Sequence, residues 1–192
     1  PATPTLRWMN TLQDLRGLRS LGGLPFRPTM AQEKTNSMRA LEAHKIPYDV
    51  FTFPPEVHSA SGVADAVRLP YEHVYKTLVT LRPEGKPMLI MIAGHQELDL
   101  KRVAKSVGEK KVRMASYKEA EDLTGLQVGG ISALALLNRP FDVFIDRPAT
   151  ELSHVLVSAG KRGINLRLPV ADLIRITNAR VIEATRSTDA RS

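Results

Sequence analysis

Cysteine is absent from all 192 residues. That absence removes disulfides, zinc-thiolate centres and thiol nucleophiles together. It suits a reducing compartment, and the cytoplasm is the expected one. The five histidines, at 44, 58, 73, 95 and 154, never fall at metal-ligand spacing, so neither a metal nor a cofactor is expected. Aromatic residues make up only 5%. The longest apolar run, Met88 to Ala93, falls far short of the roughly 18–20 residues that a membrane span needs. It suits a buried strand. No apolar stretch with a small-residue cleavage site stands near the start, so no secretory signal and no membrane partner are expected.

What is present is an ordinary globular profile, with 43% hydrophobic and 24% charged residues. The length allows one domain with a full core and is too short for two comfortable ones. The formal charge of +7 fits a polyanionic partner and equally a generally basic surface. Residues 1–29 carry four Arg against one Asp, together with four Pro, three Gly and the only Trp. They are expected to be a non-catalytic extension, poorly ordered or packed on the surface, with the domain proper running from 30 to 192.

Periodicity and turn residues then lay out the domain. Helices are expected over 35–45, 62–68 (capped by Ser59 or Ser61), 98–107, 116–123 and 170–176. Strands are expected over 48–53, 74–81, 87–93, 111–114, 141–145, 154–157, 164–168 and 179–183. Arg82 to Lys86 between two apolar strands is a hairpin signature. Strands and helices mix without strict alternation. The expected fold is therefore mixed α/β, a curled or partly closed mixed sheet surrounded by helices.

Two familiar machineries fail on spacing. Gly130-Ile131-Ser132-Ala133-Leu134 has Leu134 where a nucleophile elbow needs its second glycine. Gly160-Lys161-Arg162-Gly163 has Arg162 where a phosphate loop needs Ser or Thr, and Val155 where its first glycine belongs. The chemistry left is that of backbone amides, hydroxyls, lysine and the substrate itself. Four segments stand out, each with a plain structural alternative. Lys76 lies inside the apolar strand segment 75–79, Gly129-Gly130 in the loop 127–132, Asp146-Arg147-Pro148-Ala149 at a turn, and Val157 to Gly163 in a basic hairpin turn.

In order along the chain, IPYDVFTF, VYKTLVTL, ELDLKRVAKSVGEKKVRMA, LTGLQVGGIS, VFIDRPA and VSAGKRGINLRL resemble the YbaK/EbsC-type aminoacyl-tRNA deacylases. That family is related to the editing domain of prolyl-tRNA synthetase. The resemblance runs from about Asn36 to Ala184. It implies a barrel-like mixed domain, acting in trans on aminoacyl-tRNA, with Cys-tRNA(Pro) as the first substrate. A deacylase for Ala or Ser on tRNA, or a non-catalytic member that binds tRNA or a synthetase, are the alternatives. The implied partners are tRNA(Pro) and prolyl-tRNA synthetase, with the chain as monomer or homodimer.

By the same resemblance the catalytic set is Lys76, Gly129 and Ser158. The substrate-binding set is Phe53, Thr77, Gly130, Ile131, Ser132, Ala133, Gly160 and Asn165. Lys76 supplies a cation, amides around Gly129 and Gly130 approach the ester carbonyl, and Ser158 bonds the ribose or the amino-acid end. The nucleophile is the substrate's own thiol, a ribose hydroxyl or water. Three positions depart from the family pattern: Ala133 stands where proline is common, Asn165 for aspartate, and Phe53 for tyrosine. Lys101, Arg102, Lys105, Lys110, Lys111 and Arg113 are candidates for a phosphate-tracking face or for a solvated one.

Overall fold

The computed structural model describes residues 34–57 and 59–186. The expected extension over 1–29 lies outside the described residues, as does His58. Local chemistry fixes most element ends. Helix α1 (Asn36–Ala43) starts where the Thr35 side chain accepts from Met38 N, and it buries Ser37, Met38 and Leu41. It stops short of Pro47 because Lys45 turns left-handed at φ 56°. Strand β1 (Asp49–Thr52) follows.

Helix α2 (Ala60–Val67) begins earlier than the expected residue 62, because Ser59 Oγ accepts from Gly62 N at 3.1 Å. Helix α3 (Leu100–Val107) begins later than the expected residue 98. Asp99 caps it through the amides of Lys101 and Arg102, while Leu98 bridges Thr185 instead. Helix α4 (Tyr117–Thr124) carries a reciprocal capping box between Ser116 and Glu119. Helix α5 (Val170–Thr177) ends at Asn178.

The strands form two sheets. Five strands run in the order β4 (Arg113–Met114), β2 (Tyr75–Leu81), β3 (Met88–Ala93), β5 (Asp142–Asp146), β8 (Arg180–Ile182). β2 is antiparallel to β3 and β4, whereas β3, β5 and β8 are parallel. Three more run β1, β7 (Ile164–Pro169), β6 (His154–Lys161), all antiparallel. The fold is the expected mixed α/β class, with its strands divided between two sheets rather than curled into one. A parallel bridge from Val74 to Leu156 links them.

β3 explains its own apolar run. Leu89, Met91 and Ala93 enter the core shared with α1 and the three-stranded sheet, while Met88, Ile90 and Ile92 pack under Val103 and Ala104 of α3. A strand covered on both faces has no solvent side to alternate. No helix among the described residues is long and apolar enough to cross a membrane.

One boundary matters for the site. The expected strand over 154–157 continues to Lys161, so Ser158 sits within β6 opposite Asn165 and not in a turn. The register slips between Ser158 and Lys161, and the chain reverses only at Arg162-Gly163. The glycine that suggested an early turn, Gly160 at φ 91°, serves this irregularity instead.

Candidate active site

The start of β2 lies where the two sheets meet, and there a lysine faces a partly enclosed space. The Lys76 Nζ donates to the Gly94 carbonyl at 2.9 Å. Half-burial holds its pKa below the usual lysine value, and the nearby Glu97 partly offsets this. The anchor itself depends on a missing side chain. A Cβ at Gly94 would stand 2.1 Å from Ala60 Cβ and 3.0 Å from the Val74 carbonyl. Gly94 N in turn donates to Val74 O, so the end of β3, the start of α2 and the entry to β2 form one tight knot.

The glycine loop approaches from the other side. Gly129 takes φ 90°, a conformation that L side chains rarely adopt. Gly130 N donates to Gln127 O at 2.8 Å, so this amide closes the turn and is not available to an ester carbonyl. Among the described residues, no internal acceptor holds the amides of Gly129 and Ile131. Ser158 fixes the loop: its Oγ donates to Gly130 O at 3.0 Å and accepts from Gly160 N at 3.2 Å. Arg162 adds a second tether, with Nε 2.7 Å from the Val128 carbonyl.

Between them lies a cleft of about 520 Å³, including space open to solvent. Phe53, Thr77, Gly129, Ile131, Ser158 and Asn165 line it with Lys76. Ala60, Val63, Val74 and Tyr75 complete the wall. The described lining holds no carboxylate and no imidazole. Asn165 is only 7% exposed, and its carboxamide makes no hydrogen bond among the described residues. Burial, with Asp146 and Glu151 beyond, raises the Tyr75 phenol above its ordinary pKa.

Four of the expected substrate contacts lie elsewhere. Ser132 is buried against Ser37, with 3.4 Å between the hydroxyls, and Ala133 belongs to the core. Gly160 and Gly130 stand behind the cleft, the latter against the Lys161–Arg162 backbone. Ala133 has φ −61°, the angle a proline would impose, so this departure leaves the local backbone unchanged. Asp146 is structural: Oδ1 accepts from Ala184 N at 2.8 Å and Oδ2 from the Thr185 hydroxyl at 2.5 Å. Of the expected basic face, Arg113 is paired with Glu119, and none of its residues lines the cleft.

The sequence motifs did not single out Gly94 or Ala60, and gave Tyr75 and Arg162 no place in the site. No group of three or more His, Cys, Asp or Glu able to hold a metal occurs among the described residues.

Residues 54–176 fit the profile of the family described as the aminoacyl-tRNA editing domain. EbsC of Enterococcus faecalis, provisionally named a Cys-tRNA(Pro)/Cys-tRNA(Cys) deacylase, is 39% identical over 156 residues, covering 80% of this chain and 94% of EbsC. The proline–tRNA ligase of Staphylococcus aureus is 21% identical over 112 residues, which is 58% of this chain and 19% of the ligase. A crystal structure provisionally described as a trans-editing enzyme for prolyl-tRNA synthetase superposes with TM-score 0.69 at 25% identity. That match covers 79% of this chain and 96% of the other. A second crystal structure, of hypothetical protein APE2540, has TM-score 0.73 at 21% identity, over 79% and 99% of the two chains.

Proposed function

The chain belongs to the aminoacyl-tRNA editing domain family, and on that premise we propose that it hydrolyses mischarged aminoacyl-tRNA in trans, with Cys-tRNA(Pro) the first candidate substrate. One observation carries the reading at the site. A lysine ammonium, two unspent backbone amides and a carboxamide that makes no hydrogen bond among the described residues line one cleft from three separate segments.

Each group has work to do on an aminoacyl ester. Lys76 holds its charge beside the space where negative charge builds as the carbonyl is attacked, and partial burial strengthens that interaction. The amides of Gly129 and Ile131 are the donors left for the carbonyl oxygen. Ser158 acts as a positioning residue, because its hydroxyl proton is already given to Gly130 O. Asn165 offers both an acceptor and donors to the amino-acid end. An aminoacyl ester is an activated substrate, so a positioned nucleophile suffices without a protein base. The substrate's thiol, a ribose hydroxyl and water are the candidates.

The proposed editing domain spans 30–192, with 1–29 outside the chemistry. Prolyl-tRNA synthetase is the proposed partner, because its own bacterial form contains a matching segment. The compartment that fits this substrate is the cytoplasm.

The test is a deacylation panel of Cys-, Ala- and Ser-tRNA, run with and without prolyl-tRNA synthetase. Release faster than in buffer is expected, with Lys76→Ala lowering kcat/KM by about 100-fold, roughly 2.7 kcal/mol of transition-state stabilisation. Release at the buffer rate for all three substrates overturns the proposal.

A further inference from the structure

Two further clefts flank the reaction cleft, and their charges are opposite. One shares Tyr75 with it and carries Glu72 and Glu151, together with Asp146 (bonded to Ala184 and Thr185), Glu183 (paired with Arg147) and Arg186 (paired with Asp99). The other lies beyond the glycine loop and is lined by Gln127, Lys161 and Arg162 with Pro55 and one acid, Glu56. A nucleic-acid strand that places its terminal ester in the middle cleft meets a different charge over each of these neighbours. Phosphates are repelled by the first and attracted by the second.

The basic flank is also the one built onto the site. A Cβ at Gly130 would meet Arg162 N at 3.0 Å and Lys161 C at 3.3 Å, so the β6–β7 tip rests directly on the glycine loop. The Arg162 guanidinium grips the Val128 carbonyl through Nε and Nη2, which leaves its other N–H groups unspent. Arg113, Arg147 and Arg167 are neutralised by Glu119, Glu183 and Asp49. Neither Arg162 nor Lys161 has a carboxylate partner among the described residues.

We propose that the β6–β7 tip is the phosphate-binding rim for the substrate's single-stranded end, Lys161 and Arg162 together engaging the phosphodiester next to the esterified adenosine. Arg162 contributes a planar fork held in place by Val128, and Lys161 a mobile charge. The proposal rests on the tRNA substrate put forward above. It assigns the phosphate track to this hairpin rather than to the basic residues of α3.

The experiment follows deacylation across a salt series for the parent protein, Lys161→Ala and Lys161→Glu. Each is run on aminoacyl-tRNA and on a 3′-aminoacyl-adenosine, which has no phosphate. Lys161 is chosen because Arg162 also tethers the loop. The expected result is a rise of about fivefold in KM for the tRNA with Lys161→Ala, and more with Lys161→Glu. The log–log salt slope falls by about 0.7, the share of one phosphate on a single strand.

An unchanged KM and slope on tRNA overturns the proposal. So does an equal rise in KM on both substrates, or a fall in slope with Lys105→Ala on α3 in place of Lys161→Ala. If neither substrate is turned over, the proposed hydrolysis fails by itself. The rim is then decided by the salt dependence of binding to uncharged tRNA. A shallower slope for Lys161→Glu supports it, and an unchanged slope overturns it.

Discussion

Asp146 and Asn165 are polar side chains sunk in apolar surroundings, at 2% and 7% exposure, yet they lead opposite lives. Around Asp146 both carboxylate oxygens are occupied, by the Ala184 amide and the Thr185 hydroxyl, and the chain after β8 is thereby tied to the end of β5. Around Asn165 the carboxamide has no partner among the described residues and lines the cleft with Lys76. A buried polar group that is satisfied internally is part of the scaffold. The Asn165 carboxamide keeps its polar atoms open to the cleft, where water or a ligand can meet them. Thr80 qualifies the lesson: its Oγ1 is fully buried and unpaired, but it lies in the core, where no ligand can reach it.

Substitutions can break or sharpen this contrast. The largest effect is expected at the scaffold. Asp146→Ala strands the Ala184 amide and the Thr185 hydroxyl, and should cost about 3 kcal/mol in urea unfolding. Asn165→Leu should change stability by less than about 1 kcal/mol, because the carboxamide's polar atoms reach the open cleft, while raising KM for aminoacyl-tRNA about tenfold. A loss of stability comparable to that of Asp146→Ala would erase the distinction between the two positions.

Thr80→Val, nearly isosteric, should raise stability by somewhat less than about 1 kcal/mol with kcat/KM unchanged. A fall in activity would assign Thr80 a role that its burial denies it. The smallest effect concerns protonation. Burial lowers the Lys76 pKa and Glu97 raises it, so Glu97→Gln should lower it further. The enzyme-dependent rate depends on the charged lysine and falls as pH rises through that pKa. Its alkaline limb should therefore move to lower pH, read after subtracting buffer hydrolysis. A shift to higher pH would reverse the assigned sign of the Glu97 interaction.

Much of the fold was legible because much of it is local. Thr35, Ser59, Ser116 and the glycines at 108 and 125 mark helix ends through bonds that span three or four residues. The run from Met88 to Ala93 announced a buried strand, and the structure covers it on both faces. The length of β6 was not legible, because Ser158-Ala159-Gly160 has the composition of a turn. Its pairing with β7 across the irregularity decides otherwise. The division into two sheets depends on pairings between distant segments, and local pattern does not encode which strand finds which.

The site divides in the same way. Lys76, Gly129 and Ser158 were legible through the family resemblance, since a strand lysine, paired glycines and a serine near a turn each have a plain structural reading on their own. Gly94, Ala60 and Tyr75 are ordinary in sequence and matter only through where they lie. The expectation that Gly130 offers its amide was undone by a turn hydrogen bond to Gln127, and the expectation that Ser132 faces the substrate by its burial against Ser37.

The sequence by itself determined the family, through the ordered motifs that resemble it, and the element types and the identity of the charged and flexible residues, because these last rest on residue chemistry and short-range periodicity. Tertiary structure alone decided which amides remain free and which hydroxyl is spent on Gly130. It also decided which carboxamide faces the cleft and that Lys161 and Arg162 stand next to the glycine loop. Those properties depend on groups far apart in the chain meeting at distances of about 3 Å, where a hydrogen bond is either made or not.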